Sequence, residues 1–349
     1  MGSVHEPNNN TDKSPYVEPS TSREKNWKFT DLASELAVDP EGEEISSEDV
    51  WNTVTTTNNI NTDEDDSVQE FGRTYHRYKQ GSYLLPNDAK EKARLTVQHH
   101  MTLYAMDGEL YLAPIAEPKN VLDIGTGTGI WAIEMASRHP ESNVLGVDLS
   151  PVKTEAVPSN CQFEIADVTD PWSYDTQFDF IHGRFLLTCF DDHKAVFRAA
   201  YENLAPGGYL ELEDIGGFEF IDDSGDGTAL KKWNDTLFKA GLSMGRNWKC
   251  AWSYAQWLQE LGFVDVVEKH YVCPGNTWPK GKYFKTLGIL LNQNVKLGFE
   301  GLSMAVMTRG LRMSEDEVMK LVAEAKPDLD DKNIHSYSRI IVVHARKPL

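Results

Sequence analysis

Three aspartates stand at or just beyond the ends of three short apolar runs, and three glycines follow the first. Val121-Leu122-Asp123-Ile124-Gly125-Thr126-Gly127-Thr128-Gly129-Ile130-Trp131 reads as a strand turning sharply into a helix. Residues 143–148 read as the next strand, ending on Asp148, and residues 161–165 as a third, leading to Asp167-Val168. A carboxylate at a strand's carboxyl end can accept hydrogen bonds from both ribose hydroxyls of a nucleoside. Glycines let the main chain approach a bound molecule closely. The pattern points to a nucleoside cofactor at the edge of a parallel sheet.

The glycine spacing narrows the choice of nucleoside. The dinucleotide fingerprint is G-x-G-x-x-G, with a helix N-terminus aimed at a pyrophosphate. Here the spacing is G-x-G-x-G, and Ile130 stands where the last glycine would be. Asp123, just before the glycines, would repel a pyrophosphate but suits the ammonium of a methionine moiety. S-adenosylmethionine therefore fits better than NAD. In S-adenosylmethionine enzymes at large, the acid after the third strand takes the exocyclic amine of adenine and the next N–H a ring nitrogen, and Asp167 and Val168 stand at those positions. A glycine turn that only packs a helix on a strand is the blander alternative. Three glycines in five residues would cost stability there with no ligand to justify them. The expected cofactor-binding residues are Asp123, Gly125, Thr126, Gly127, Gly129, Asp148, Leu149, Asp167 and Val168.

Methyl transfer is an in-line displacement at a sulfonium carbon with a good, neutral leaving group, so the protein mainly aligns two reactants. A base helps only where the nucleophile must lose a proton, as a hydroxyl does. Ligands of open α/β sheets collect at the carboxyl ends of the strands. That favours His182 and Arg184 after a fourth strand at 178–182, and Glu213 and Asp214 after a fifth at 209–213. His182 is the candidate catalytic base. Its competing role is to hold the cofactor loop.

These residues need a scaffold of alternating strands and helices. Residues 194–205 read as a helix with Val196, Phe197, Ala200 and Leu204 on one stripe. Pro206-Gly207-Gly208 is a turn. Residues 264–271 and 338–345 read as the last two strands, an antiparallel edge on a mostly parallel, Rossmann-like α/β sheet of seven strands. Ahead of the glycine loop, residues 87–106 read as a helix capped by Asn87 or Asp88. Residues 67–115 form an N-terminal cap over the cleft, with Tyr75, Tyr78 and Tyr83 in its first part. Two insertions, 215–260 and 272–335, are helical around 228–241, 252–261, 281–299 and 314–325. Their many aromatics, Trp233, Trp248, Trp252 and Trp278 among them, predict an aromatic-lined acceptor pocket suited to a small apolar molecule.

Composition limits the remaining readings. Residues 1–70 carry 17 acids and four bases, so −13 of the net −20 sits there and −7 on the rest. Residues 1–66 are predicted to be a disordered acidic tail. Within it, Trp27 to Leu36 has Phe29, Leu32 and Leu36 at helical spacing, and a protein partner could engage it. No basic patch is dense enough to track a phosphate backbone, which argues against nucleic acid. Cys161, Cys189, Cys250 and Cys273 form no C-x-x-C pair, and no ligand cluster predicts a metal. No run approaches the about 18 apolar residues of a membrane span. The N-terminus has no signal-peptide core. The expected location is the cytoplasm, with the nucleus as the second choice.

The chain also resembles a family, the fungal LaeA-like or UMTA-type methyltransferases, over residues 70–348. Gly72-Arg73-Thr74-Tyr75-His76, Leu85-Pro86-Asn87-Asp88, Gly146-Val147-Asp148-Leu149-Ser150-Pro151, Phe178-Asp179-Phe180-Ile181-His182 and Trp278-Pro279-Lys280 carry the likeness. The resemblance implies a class I methyltransferase fold and S-adenosylmethionine as methyl donor. It also implies a role in secondary metabolism, either biosynthetic, on a small-molecule acceptor, or regulatory, through protein partners. The chain departs from the family pattern at Val152–Ala156 and Thr188–His193, beside the cofactor rim and the acceptor mouth.

Overall fold

The structure is a computed structural model and describes residues 28–31, 33–40, 42, 44–46, 48, 50, 67–79, 81, 83–154 and 156–349. In chain order the strands are β1 (Lys28–Asp31), β2 (Ser67–Glu70), β3 (Arg73–His76), β4 (Asn120–Ile124), β5 (Asn143–Asp148), β6 (Cys161–Ile165), β7 (Phe178–Arg184), β8 (Leu204–Ile215), β9 (Glu219–Phe220), β10 (Val264–Pro274) and β11 (Ser336–Arg346). The helices are α1 (Ala89–Ala105), α2 (Ile130–Arg138), α3 (His193–Asn203), α4 (Ala229–Ser243), α5 (Tyr254–Glu260), α6 (Lys282–Leu311) and α7 (Glu315–Asp330).

The main sheet runs β1-β10-β11-β8-β7-β4-β5-β6, with β9 beside β11. β6, β5, β4, β7 and β8 are parallel, and β11 lies antiparallel between β8 and β10. This is the mostly parallel sheet with an antiparallel edge that the sequence predicts.

Alternation along the strands divides the core between the two sheet faces. Val121 and Phe180 pack with Trp131, Met135 and Val144 on one face. Leu122, Ile124 and Ile181 pack with Phe197 and Leu204 on the other. Trp131, Phe180 and Phe197 are fully buried, each contributing roughly 1.5–3 kcal/mol through removal from water.

Two expectations need correction. Residues 1–66 are not a disordered tail throughout. β1 pairs in parallel with β10, Lys28 opposite Val267 and Asp31 opposite His270. Val38 bridges Pro279, and the buried carboxylate of Asp39 lies 2.5 Å from the buried ammonium of Lys285. Of the stretch read as a helix, Lys28–Asp31 is strand and Ala33–Glu35 a single 3-10 turn, while Trp27 and Leu32 lie outside the described residues. An edge of β10 needing hydrogen-bond partners decides for strand.

The second correction concerns α6, which runs 12 residues past its expected end at 299, to Leu311. Gly298 and Gly301 fall around that boundary. In the fold they are contact points: a Cβ on Gly298 would lie 2.8 Å from Arg94 Cδ on α1. Met304 to Met307 continue the buried face, and burial outweighs the propensity cost of glycine, about 1 kcal/mol each. Among the described residues, no helix is long and apolar enough to cross a membrane.

Candidate active site

The glycine loop begins where β4 ends. Gly125, Gly127 and Gly129 have φ of 66°, 58° and 77°, where any side chain is strained. A Cβ on Gly125 would lie 2.6 Å from Leu186 Cδ2. Thr126 N–H donates to Val147 C=O (3.0 Å) and Gly129 N–H to Thr126 C=O (2.9 Å), closing the turn. Asp148, ending β5, accepts from Gly127 N–H (2.8 Å) and from Ser150 N–H (2.9 Å). Burial raises the pKa of this carboxyl, and the two backbone donors oppose the rise.

A cavity of about 860 Å³ opens at this edge of the sheet. Of the nine residues expected to bind the cofactor, seven line it: Gly125, Thr126, Gly127, Asp148, Leu149, Asp167 and Val168. Asp167 accepts from Thr169 N–H (2.8 Å) and Thr169 Oγ1–H (2.6 Å), and its other oxygen meets Lys79 Nζ at 2.8 Å. Burial works against its charge, but Lys79 and Thr169 prevail and lower its pKa.

Asp123 and Gly129 are not in the wall. Asp123 is 2% exposed and lies beneath the loop, accepting from Thr126 Oγ1–H (2.5 Å) and from His182 Nδ1–H (2.8 Å). There it holds the loop. Gly129 sits against Phe163 and Val152, where a Cβ would come within 2.7 and 2.8 Å. Its part is to let the helix start close to the sheet.

His182 is also displaced from its expected role. It is completely buried, outside the cavity wall, and its ring stacks on Trp131 at 3.7 Å between centroids. Its Nε2 is 3.5 Å from Glu213 Oε1. Burial alone would lower its pKa, but Asp123 and Glu213 raise it to about 9. A fully buried imidazole outside the wall, bonded to Asp123, is not placed to take a proton from an acceptor in the cavity. Glu213 and Asp214 are equally absent from the wall. Asp214 accepts from Leu186 N–H (3.0 Å) and Tyr254 O–H (2.9 Å), fixing the loop after β7.

The opposite wall comes from the N-terminal cap. Asp88 caps α1 by accepting from Glu91 N–H (3.0 Å) and is held by Arg73 (2.7 Å). The strap between β3 and α1 crosses the cleft, pinned where Lys79 reaches Asp167 and Asp170. His76 and Tyr83 line the cavity from this strap, and Leu95, Gln98 and Arg94 from α1. His76 Nδ1–H donates to Tyr78 C=O (2.7 Å), while its Nε2 has no hydrogen-bond partner. His76 is the single histidine among the described wall residues. Sequence reasoning gave it no role. Its signal was the run of aromatics around it. Gln98 was missed too, although it lies one turn from Leu95 on the same helix face.

The predicted aromatic lining is largely absent. Trp233, Trp248, Trp278 and Phe299 are buried in the core, and Trp233 Nε1–H donates to Ser303 Oγ at 2.7 Å. The insertions give the wall Ile215, Arg246 and Leu302. Among the described residues, no group of three or more His, Cys, Asp or Glu could hold a metal.

A buried carboxylate ending the second strand, an acid after the third and a glycine loop between them fit a nucleoside donor. The unpartnered Nε2 of His76 and Oε1 of Gln98, on wall residues, fit a polar ligand above them. Fold and site together define a class I S-adenosylmethionine-dependent methyltransferase. A family model described as a methyltransferase domain matches residues 97–268. Methyltransferase pytC of Aspergillus terreus is 34% identical over 293 residues, covering 81% of this chain and 90% of that protein. Protein-methionine methyltransferase laeA of Emericella nidulans is 33% identical over 288 residues, covering 80% and 76%. Secondary metabolism regulator laeA of Aspergillus flavus is 32% identical over 287 residues, covering 80% and 77%. The chain belongs to this fungal family of LaeA-like methyltransferases. When bound, the donor supplies an electrophilic methyl group on a sulfonium.

Proposed function

We propose that the protein methylates oxygen or nitrogen of a small, largely apolar metabolite of fungal secondary metabolism. One observation carries the reading. The cavity that presents Asp148 and Asp167 is also walled by Leu85, Leu95, Leu187, Phe190, Val196 and Leu302. A donor and an apolar acceptor thus share one enclosed space. The buried Arg94–Glu91 pair (2.6 Å), steadied by Asn294 (3.1 Å), adds a polar point for orientation. His76 is the residue placed to receive a proton from a hydroxyl acceptor, through its bare Nε2. The Asp167 and Val168 edge is assigned to adenine and Asp148 to ribose.

The test is release of S-adenosylhomocysteine on incubation with S-adenosylmethionine and panels of phenols, indoles and secondary amines, beside peptides. Turnover confined to the small apolar panel supports the reading. Turnover confined to peptides overturns it.

A second reading is a regulator acting through protein partners. What favours it is that relatives as similar as pytC bear the name of secondary metabolism regulator. The acidic leading segment would be the contact, and the nucleus the place of action. The biosynthetic reading places the protein in the cytoplasm. Recovery of a stable nuclear partner from the producing cells would decide for the regulator.

A further inference from the structure

Asp123 is committed beneath the glycine loop, so the amino-acid end of the donor lacks the partner that the sequence indicated. We propose that Arg184 and Gln98 receive it, Arg184 binding the α-carboxylate and Gln98 the α-ammonium. The inference rests on the assignment of the donor and goes beyond it by naming these two residues.

Strand order gives the first argument. At the carboxyl edge of the sheet Arg184 ends β7, Gly125 follows β4, Asp148 ends β5 and Asp167 follows β6. These strands are consecutive neighbours, so the row spans about 14 Å, three strand spacings. Adenine belongs at Asp167 and ribose at Asp148, and the far end of the donor then falls at Gly125 and Arg184. β4 and β7 are in register here, Ile124 opposite Gly183, which sets Arg184 beside Gly125.

The second argument is how Arg184 is held. Its Nη2–H donates to Nδ1 of His99 (2.7 Å), and His99 Nε2–H donates to Glu134 (2.9 Å). Burial and the neighbouring Arg184 cation lower His99 to about 4, so its ring is neutral. A neutral acceptor fixes the guanidinium without cancelling its charge. Asp123 already has Thr126 and His182 as donors and Glu134 has His99 and Arg138, while Glu213 lies 3.5 Å from His182 Nε2 without a hydrogen bond. Among the described residues no carboxylate forms an ion pair with Arg184, and Arg184 lines the cavity. An anionic ligand group is what such a guanidinium lacks.

Gln98 supplies the third. It is 3% exposed, lines the same cavity, and its Oε1 has no hydrogen-bond partner. Leaving a buried amide oxygen unsatisfied is costly unless a ligand completes it. Leu95, one turn earlier on α1, stands 3.6 Å from where a Cβ of Gly127 would be, so this helix face lies over the glycine loop.

The test compares two probes by calorimetric titration: S-adenosylhomocysteine, and 5′-methylthioadenosine, which lacks the amino-acid end. Wild type should prefer S-adenosylhomocysteine. Arg184→Met should weaken it about 10- to 100-fold while moving 5′-methylthioadenosine by less than threefold, and Gln98→Leu should do the same more weakly. Retained 5′-methylthioadenosine binding shows that the variant's cleft is folded. Should Arg184→Met not fold, Arg184→Lys and Gln98→Leu decide on the same pair of probes. Parallel loss of both probes, or no change in either, overturns the inference. So does a wild type with no preference between them. Wild type binding neither probe removes the donor assignment itself, and this inference with it.

Discussion

The imidazole of His182 lies flat against the indole of Trp131, 3.7 Å between centroids and 3° between planes, with Nδ1–H on Asp123. One face of the ring is sealed by the stack, and both nitrogens point at buried carboxylates. The histidine is thereby a structural cation under the glycine loop. His182→Leu would leave two buried carboxylates without their shared counter-charge, a loss of about 3–5 kcal/mol. The expected fall in Tm is on the order of 10 °C. Thermal unfolding followed by circular dichroism measures it, and a variant within about 2 °C of wild type would remove the claim.

The same cation sets a pH dependence. His182 rises from 6.5 when unfolded to about 9 in the fold. Its stabilisation is fully present below pH 6.5 and is lost as pH climbs through about 9. Burial lifts Asp214 to about 7 and Glu211 to about 8. Ionising them also costs stability as pH rises, but at lower pH. Urea unfolding of wild type and His182→Leu at fixed salt should therefore differ in slope between about pH 6.5 and 9, the variant losing less. Parallel curves there would contradict the assignment.

Asp148 closes the glycine loop through Gly127, and the proposed reading also assigns it to the ribose. Asp148→Ala should weaken S-adenosylhomocysteine about 100-fold or more, since hydrogen bonds to a charged acceptor are worth about 1.5–3 kcal/mol each. Calorimetry on the variant decides, and a change below about fivefold would show that the ribose sits elsewhere.

His76 should matter to turnover more than to donor affinity. On a hydroxyl acceptor, His76→Ala is expected to lower kcat about 100-fold or more and to shift S-adenosylhomocysteine binding by less than threefold. The reverse pattern, weak donor binding with kcat preserved at saturation, would assign Nε2 of His76 to a ribose hydroxyl.

Removing residues 1–50 should destabilise the domain. The deletion strips β1 from β10 and takes the Asp39 carboxylate from the buried ammonium of Lys285, at a cost of roughly 3 kcal/mol or more. Asp39→Ala should reproduce much of the fall. A truncated domain as stable as the full chain would return the segment to the status of a tail.

The glycine loop and the strand-ending acids of the candidate site were legible because they depend on local rules. Positive-φ glycines, strand-ending acids and alternating apolar residues each leave their mark within a few residues, and seven of nine expected positions reached the cavity wall. What escaped was decided across the fold. Asp123 looks like a ligand contact until Thr126 and His182 are seen to claim both its oxygens. The tryptophans of the insertions resemble a binding box in sequence, yet a core beneath three long helices needed their bulk. The true length of α6 was also hidden, because its second half is held by contacts such as Gly298 against Arg94 of α1.

The pairing of β1 with β10 has a mechanical meaning. The leading segment is fastened at the opposite border of the sheet from β6, and through Val38 and Asp39 it is tied to the start of α6. Further along, α6 steadies Arg94 with Asn294 and sends Leu302 into the cavity wall. Tension on the leading segment would thus be passed through α6 to the apolar side of the chamber.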